Sequence, residues 1–230
     1  MGEVKRRLES IRERIRRKAE SCDRDPDSIR LVAVSKTVPA ETVKEAIEAG
    51  TTILGENYVQ EAREKFDALV LYPVSWHFIG HLQSNKAKYA VRLFDLIHSV
   101  DSLKLAHALD KEAKKVDKIQ SILVQVNISG EDTKSGITAA ETPGLISEIG
   151  RLKNLSVKGL MTMPPYFYQP EKVRPYFAAL RDLRDRLKEQ SIPNLAVDEL
   201  SMGMTGDFEV AIEEGATIVR IGTAIFGERK

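Results

Sequence analysis

The sequence has a single cysteine and no long apolar run, and each shortage removes a class of protein. Cys22 has no second cysteine for an internal disulfide, and no cluster of Cys and His with zinc spacing accompanies it. We therefore expect a reducing, cytoplasmic environment. No stretch approaches the roughly 20 apolar residues of a membrane-spanning helix, and residues 2–6 are too charged for a signal peptide, so no membrane association is expected.

The sequence also lacks an excess of charge of either sign. Its 35 basic and 34 acidic side chains nearly cancel, which argues against a nucleic-acid or polyanionic partner. The motifs G-x-S-x-G, Walker A and G-x-G-x-x-G are absent as well, so hydrolase, nucleotidase and dinucleotide-binding functions have little support. A small-molecule partner is the remaining expectation.

What the sequence does contain is a regular alternation of β-rich and helical segments. The predicted strands are 31–35, 52–54, 76–79, 96–100, 122–128, 157–161, 199–202 and 217–221. The predicted helices between them are 40–49, 59–69, 86–94, 103–115, 139–152, 173–189 and 208–214. Strands separated by helices imply parallel pairing. Eight such units predict an α/β fold, a single (β/α)8 TIM-type barrel over residues 1–230 as one domain, with a doubly wound open sheet as the competing architecture.

An additional helix is predicted before the first strand. Residues 3–21 place Val4, Leu8, Ile11 and Ile15 at helical spacing, and the arginines of this segment alternate with glutamates. That alternation is typical of a solvated, self-paired face rather than of a nucleic-acid patch. Because little chain follows the eighth strand, we expect this N-terminal helix to cover the place of a final barrel helix.

Residues at the carboxyl ends of the strands predict a site for a phosphate-bearing aldehyde. Lys36 follows the first strand, and an amine near apolar walls can attack a carbonyl to form an imine. Small residues follow strands seven and eight, where such barrels bind phosphate: Ser201, Gly203, Gly206, Gly222 and Thr223. Taken singly, these features also fit a surface lysine and tight turns. Arg220 could face the ring nitrogen of the ligand and disfavour its protonation.

Five segments resemble the pyridoxal phosphate homeostasis proteins. They are LVAVSKT at 31–37, GENYVQE at 55–61, HFIGHLQSNK at 77–86, LSMGM at 200–204 and VRIGTAIFG at 219–227. That family is similar to the barrel half of alanine racemases and of bacterial-type ornithine decarboxylases. The resemblance therefore implies an alanine racemase N-terminal-domain-like barrel that binds pyridoxal 5′-phosphate.

The resemblance also implies roles for individual residues. Lys36 would carry the cofactor as an internal aldimine, Arg220 would face the pyridine nitrogen, and Asn57 would lie near the ring. Ser201, Gly222 and Thr223 would hold the phosphate. Met202 and His81 complete the predicted cofactor pocket. The segment 205–207 departs from the family pattern, which leaves the edge of the phosphate loop open.

The function implied by the resemblance is intracellular pyridoxal phosphate (vitamin B6) homeostasis without an established reaction. Related racemases add a second domain whose tyrosine is the opposite proton donor, and we expect no such domain here. We thus predict a monomeric carrier with no catalytic residues, whose partners are the cofactor and PLP-dependent apo-enzymes. The alternatives are a PLP-dependent amino-acid racemase or decarboxylase, and a cofactor-free imine-forming aldolase acting on a sugar phosphate.

Two further features have simpler explanations. His77 and His81 are four residues apart, but no third ligand is evident, so no metal site is predicted. Lys134 could be a second amine that accepts the cofactor during transfer, although a solvated loop lysine explains it more simply.

Overall fold

The computed structural model describes residues 2–131, 133–190 and 195–228. Its α-helices are α1 (Glu3–Glu20), α2 (Ala40–Glu48), α3 (Val59–Leu69), α4 (Ala87–Leu93), α5 (Leu103–Lys114), α6 (Thr142–Ile149), α7 (Arg174–Lys188), α8 (Phe208–Glu213) and α9 (Thr223–Phe226). Its strands are β1 (Arg30–Val34), β2 (Ile53–Glu56), β3 (Ser75–Phe78), β4 (Leu96–Val100), β5 (Gln120–Asn127), β6 (Ile137–Thr138), β7 (Leu155–Met161), β8 (Leu195–Ser201) and β9 (Ile218–Ile221).

Eight parallel strands close into a barrel, which confirms the predicted (β/α)8 fold and makes the open-sheet alternative wrong. The order is β4-β3-β2-β1-β9-β8-β7-β5, and β5 pairs back with β4. At the seam, β1 and β9 pair in register, with Val32 opposite Arg220. The barrel interior holds a small apolar cluster of Val32, Leu96, Leu123, Met161 and Ile218, and the larger core lies between the strands and the helices.

Element boundaries differ from the predictions where the sequence pattern is weak. The strand predicted at 199–202 begins earlier, at Leu195. In its first half Val197 is buried but its neighbours Ala196 and Asp198 are exposed, so this part of the sequence has only a weak apolar signal. The helix predicted at 139–152 is confined to Thr142–Ile149. The two-residue strand β6 lies just before this helix, and the sequence does not predict it. It pairs with the end of β5 and is not one of the eight barrel strands.

Helix α1 covers the seam between the last and the first barrel strand, as predicted. It packs on α8, α9 and α2, and its buried stripe consists of Val4, Leu8, Ile11 and Ile15. Two ion pairs with α8 reinforce the contact: Lys18 with Glu213 at 2.5 Å and Arg14 with Glu209 at 2.9 Å. Within the described ranges, no helix is long and apolar enough to cross a bilayer.

Candidate cofactor site at the barrel mouth

One cavity of about 260 Å³ opens at the carboxyl ends of the barrel strands. Five of the predicted site residues line it together: Lys36, Asn57, Arg220, Gly222 and Thr223. The other lining residues are Val34, Ile79, Met163, Tyr166, Phe167, Met204, Thr205, Gly206 and Asp207. A larger depression lies at the amino ends of β1 and β2 beside α1, away from these side chains. The smaller cavity is therefore the candidate site, because it is lined by five of the residues predicted to bind the cofactor.

The loops after β8 and β9 form a polar rim of small residues. The Thr223 hydroxyl donates to the Thr205 hydroxyl at 3.3 Å, which joins the two loops. Asp207 Oδ1 accepts the Met204 backbone N–H at 2.6 Å, and burial raises the pKa of this carboxyl. Gly203 starts the loop at a φ of +90°, and a Cβ there would lie 2.6 Å from that of Ala211. Small side chains and tight backbone turns leave room for an anion at this rim.

Arg220 is held in a fixed position at the base of the cavity. Its side chain is 4% exposed, and its guanidinium donates to Ser201 Oγ at 2.6 Å and to the Thr162 carbonyl at 3.0 Å. Burial lowers the pKa of Arg220 to about 10, and the nearby Asp207 opposes that shift. The guanidinium thus remains charged at neutral pH and cannot turn away from the cavity without breaking both bonds.

Three predicted pocket residues do not line this cavity. Ser201, the last residue of β8, and Met202, which follows it, are fully buried, and the Ser201 hydroxyl contacts Arg220 and His98. His81 is exposed and lines two neighbouring surface depressions, one of which it shares with Asn57. The predicted contact of Ser201 and Met202 with the cofactor stays a prediction, and in this structure both residues lie outside the lining of the cavity.

Asn57 presents an unused acceptor. Its side-chain oxygen Oδ1 is buried and has no hydrogen-bond partner. Its backbone is fixed by close packing, because a Cβ on Gly80 would lie 2.4 Å from the Asn57 carbonyl oxygen. A buried acceptor without a partner is costly, so the arrangement favours a ligand that donates a hydrogen bond here.

Helix α3 clamps the backbone on both sides of Lys36. Lys65 is 5% exposed, and its ammonium donates to the Ser35 carbonyl, to Glu56 at 2.7 Å and to Glu61 at 2.6 Å. Glu61 in turn accepts the N–H of Thr37, whose φ is +62°. The two peptide groups that flank Lys36 are therefore each bonded to a side chain of α3. We call Glu56, Glu61 and Lys65 the α3 clamp.

His98 is a buried polar residue within β4, and its contacts are not evident from the sequence. His98 on β4 accepts or donates at both ring nitrogens, with Ser201 Oγ at 2.9 Å and with His77 Nδ1 at 3.0 Å. His77 is therefore engaged inside the barrel and separated from the exposed His81. The described residues contain no group of three or more His, Cys, Asp or Glu side chains placed for a metal ion. Lys134 is half-buried in the loop after β5 and does not line the cavity.

Comparisons with known proteins agree with this geometry. The family model of the alanine racemase N-terminal domain matches residues 7–230. A pyridoxal phosphate homeostasis protein of Aquifex aeolicus is 48% identical over 97% of both chains. PipY of Synechococcus elongatus, solved with PLP bound, is 37% identical, covers 98% of this chain and 100% of its own, and superposes with a TM-score of 0.86. An alanine racemase of Clostridium difficile shares the fold at a TM-score of 0.73 and 16% identity, over 98% of this chain and 56% of the racemase.

Proposed function

The chain belongs to the pyridoxal phosphate homeostasis proteins, within the alanine racemase N-terminal domain family, and from this premise we propose that it holds pyridoxal 5′-phosphate at the barrel mouth as a Schiff base with Lys36. Its role would be intracellular PLP homeostasis. The observation that carries the proposal is the single cavity in which an amine, a buried guanidinium, an unpartnered amide oxygen and a rim of small residues converge. The relative solved with PLP supports the choice of cofactor.

The residues present fit each part of this cofactor. The rim of Thr205, Gly206, Gly222 and Thr223 suits its phosphate, and Asn57 Oδ1 suits a hydroxyl on the ring. In this proposal Arg220, which lines the cavity, faces the ring nitrogen. When bound, the cofactor would supply an aldehyde, which Lys36 would hold through a C–N bond from its amine, with the aldehyde oxygen lost as water. The α3 clamp fixes the backbone from which the amine reaches into the cavity.

We propose retention of the cofactor rather than amino-acid turnover, because of Arg220. A guanidinium with a pKa of about 10 stays charged at neutral pH and does not give a proton to the ring nitrogen, so the ring is a weak electron sink. The specific observation in favour of a racemase is Tyr166, a phenol that lines the cavity and is 77% exposed. It could act as the opposite acid or base.

The first test is the visible absorbance of the purified protein before and after borohydride, followed by peptide mass mapping. We expect a yellow protein that is bleached and leaves a pyridoxyl adduct on Lys36. Lys36→Met should abolish the colour, whereas Lys134→Met, outside the cavity, should retain it. A wild-type protein that stays colourless and unmodified with added PLP would refute the proposal.

The second test separates retention from turnover. The holoprotein is incubated with individual L-amino acids, and both enantiomers and amine products are measured by chiral chromatography. We expect no turnover above the rate of free PLP, and no difference between wild type and Tyr166→Phe. Racemisation or decarboxylation that disappears in both Lys36→Met and Tyr166→Phe would establish the enzyme alternative.

Partners, assembly and location are part of the proposal. We propose a cytoplasmic monomer that gives its cofactor to PLP-dependent apo-enzymes. Light scattering should give a mass near 25.7 kDa, and a mass twice as large would show a dimer. Mixing the holoprotein with a PLP-dependent apo-enzyme should activate that enzyme faster than the measured release of free PLP allows. Activation at the release rate would rule out direct transfer.

A further inference from the structure

A buried row of four side chains runs from the cavity into the middle of the barrel. Arg220 Nη1 lies 2.6 Å from Ser201 Oγ, Ser201 Oγ lies 2.9 Å from His98 Nδ1, and His98 Nε2 lies 3.0 Å from His77 Nδ1. The four side chains come from β9, β8, β4 and β3, and none is more than 4% exposed. We call this row the histidine column.

Arginine fixes the direction of every hydrogen bond in the column. A guanidinium has only donors, so the Ser201 oxygen accepts from Arg220. Among the described residues the other partner of Ser201 Oγ is His98 Nδ1, so the buried hydroxyl hydrogen is paired only when it is donated to that nitrogen. His98 then carries its proton on Nε2 and donates it to His77 Nδ1. His77 in turn carries its proton on Nε2. One fixed donor thus determines both tautomers.

The column also requires both imidazoles to be neutral. A proton on His98 Nδ1 would compete with the Ser201 hydroxyl hydrogen, and a proton on His77 Nδ1 would face the N–H of His98. Burial agrees with this requirement, since it lowers the pKa of His77 to about 4 and holds the pKa of His98 well below its usual value. The charge of Arg30 lowers the pKa of His77 further, and Asp95 opposes that shift. The pKa of His98 is lowered further by His77, Arg220 and Arg30.

We infer that His98 and His77 are positioning residues that act through Ser201 to hold the Arg220 guanidinium in one orientation toward the ring nitrogen of the cofactor. This inference rests on the proposed function. The Thr162 carbonyl fixes one guanidinium nitrogen, and the column fixes the other, so the plane of the group is defined by two bonds. Without His98 the Ser201 hydroxyl would be free to rotate, and Arg220 would retain one directed contact.

The first test measures proton positions in the wild-type protein without cofactor. Nitrogen-15 NMR of labelled histidine should show the side chains of His77 and His98 neutral at pH 7, each with its hydrogen on Nε2. A hydrogen on Nδ1 of either ring, or a protonated ring, would overturn the inference. Because this measurement needs no cofactor, it decides the proton order even if PLP binding itself fails.

The second test compares His98→Leu, which removes the acceptor, with His98→Asn, whose side-chain oxygen can replace Nδ1. We expect PLP to dissociate about tenfold more readily from His98→Leu, equivalent to about 1.4 kcal/mol, and the visible absorbance of the bound cofactor to shift. His98→Asn should recover affinity to within about threefold of wild type. The matched control is His107→Leu on the exposed face of α5.

Folding is checked in each variant by the cooperativity of thermal unfolding. A folded His98→Leu variant with the affinity and absorbance of wild type would overturn the positioning role. So would equal losses in His98→Leu and His98→Asn, since a purely structural histidine would not be rescued by an acceptor alone. A wild type that does not bind PLP would instead refute the proposed function.

Discussion

The contacts that hold single residues at the barrel mouth are mostly not evident from the sequence. Lys36 and the Gly222-Thr223 pair are predictable because they stand at strand ends in motifs of recognisable composition. Ser201 stands at a strand end too, but its hydroxyl turns inward to Arg220 and His98. The sequence places a residue at the end of a strand but does not show which way its side chain points when two buried partners compete for it.

The buried histidines predict a pH dependence of stability. The pKa of His77 is about 4 in the folded chain, and an unfolded histidine takes up its proton near pH 6.5. Unfolding is therefore favoured as pH falls from about 6.5 toward 4, by up to about 1.4 kcal/mol per pH unit for each such histidine. The free energy of unfolding, measured with urea at pH 7, 6 and 5, should fall less steeply with decreasing pH in His77→Asn than in wild type. Its slope against pH should thus be smaller.

The matched control for this prediction is His107→Asn, because His107 is exposed on α5. It should keep the wild-type slope. Equal slopes in wild type and His77→Asn would show that His77 is not held neutral by the fold.

The close approach of Gly80 to Asn57 predicts a specific loss. In Gly80→Ala the new methyl group would lie 2.4 Å from the Asn57 carbonyl oxygen, so the Asn57 backbone must move. We expect the free energy of unfolding to fall by about 1–3 kcal/mol and PLP to bind less tightly. Calorimetry and a PLP titration measure the two effects. Gly144→Ala, where the methyl group meets open space, should show neither.

At the scale of elements, α3 has a role that its sequence only partly indicates. Glu61 and Lys65 are four apart on one helix, a spacing that normally gives a weak, exposed ion pair. Here the pair is drawn inward because Glu56, fully buried on β2, requires a cation. Burial raises the pKa of Glu56, and the bond to Lys65 offsets only part of that rise. Helical periodicity predicts the α3 helix, but not that its lysine reaches the strand of Lys36.

The α3 clamp predicts that removing Lys65 lowers the free energy of unfolding strongly, and that also removing the charge of Glu56 restores part of it. Lys65→Met leaves the Glu56 carboxylate buried without its cation, which should cost about 3–5 kcal/mol. The double variant Glu56→Gln, Lys65→Met removes the charge and should recover at least half of that loss. Urea unfolding measures both, with the exposed Lys44→Met as control. A loss no larger than in Lys44→Met would show that the clamp does not support the fold.

The short element β6 marks the limit of pattern-based prediction. Ile137 and Thr138 pair with Val126 and Asn127, and two residues are too few to show a period of two. The same loop is anchored by Asn127, whose side-chain amide donates to the Glu131 carbonyl at 2.9 Å. Such contacts depend on which strand end lies nearby, and the sequence alone does not supply that neighbour.

At the scale of the whole molecule, the barrel was predictable because eight buried strands leave a strong and repeated signal. The seam was predictable as well, since a stripe of Val4, Leu8, Ile11 and Ile15 on α1 needs an apolar partner. We propose that residues 1–230 form one domain, in which α1 and the barrel unfold together.

That proposal is tested with Leu8→Ala, which empties a fully buried site on α1 and should cost about 3–5 kcal/mol. Trp76 on β3 reports on the barrel by fluorescence, and circular dichroism reports on the helices. We expect both midpoints to fall together. A fluorescence midpoint that stays at the wild-type value would show that α1 detaches independently. Leu71→Ala, at a residue 92% exposed, is the control.

The position of α1 has a consequence for how the chain is made. Of the described elements, α1 leaves the ribosome first, yet its partners α8 and α9 lie some 190 residues later in the chain. At a synthesis rate of about 5–20 residues per second, roughly 10–40 s pass between the synthesis of α1 and that of α8 and α9. During that interval only α2, of the packing partners α2, α8 and α9 of α1, has been synthesised, and the barrel can be closed only once nearly all of the chain has been translated.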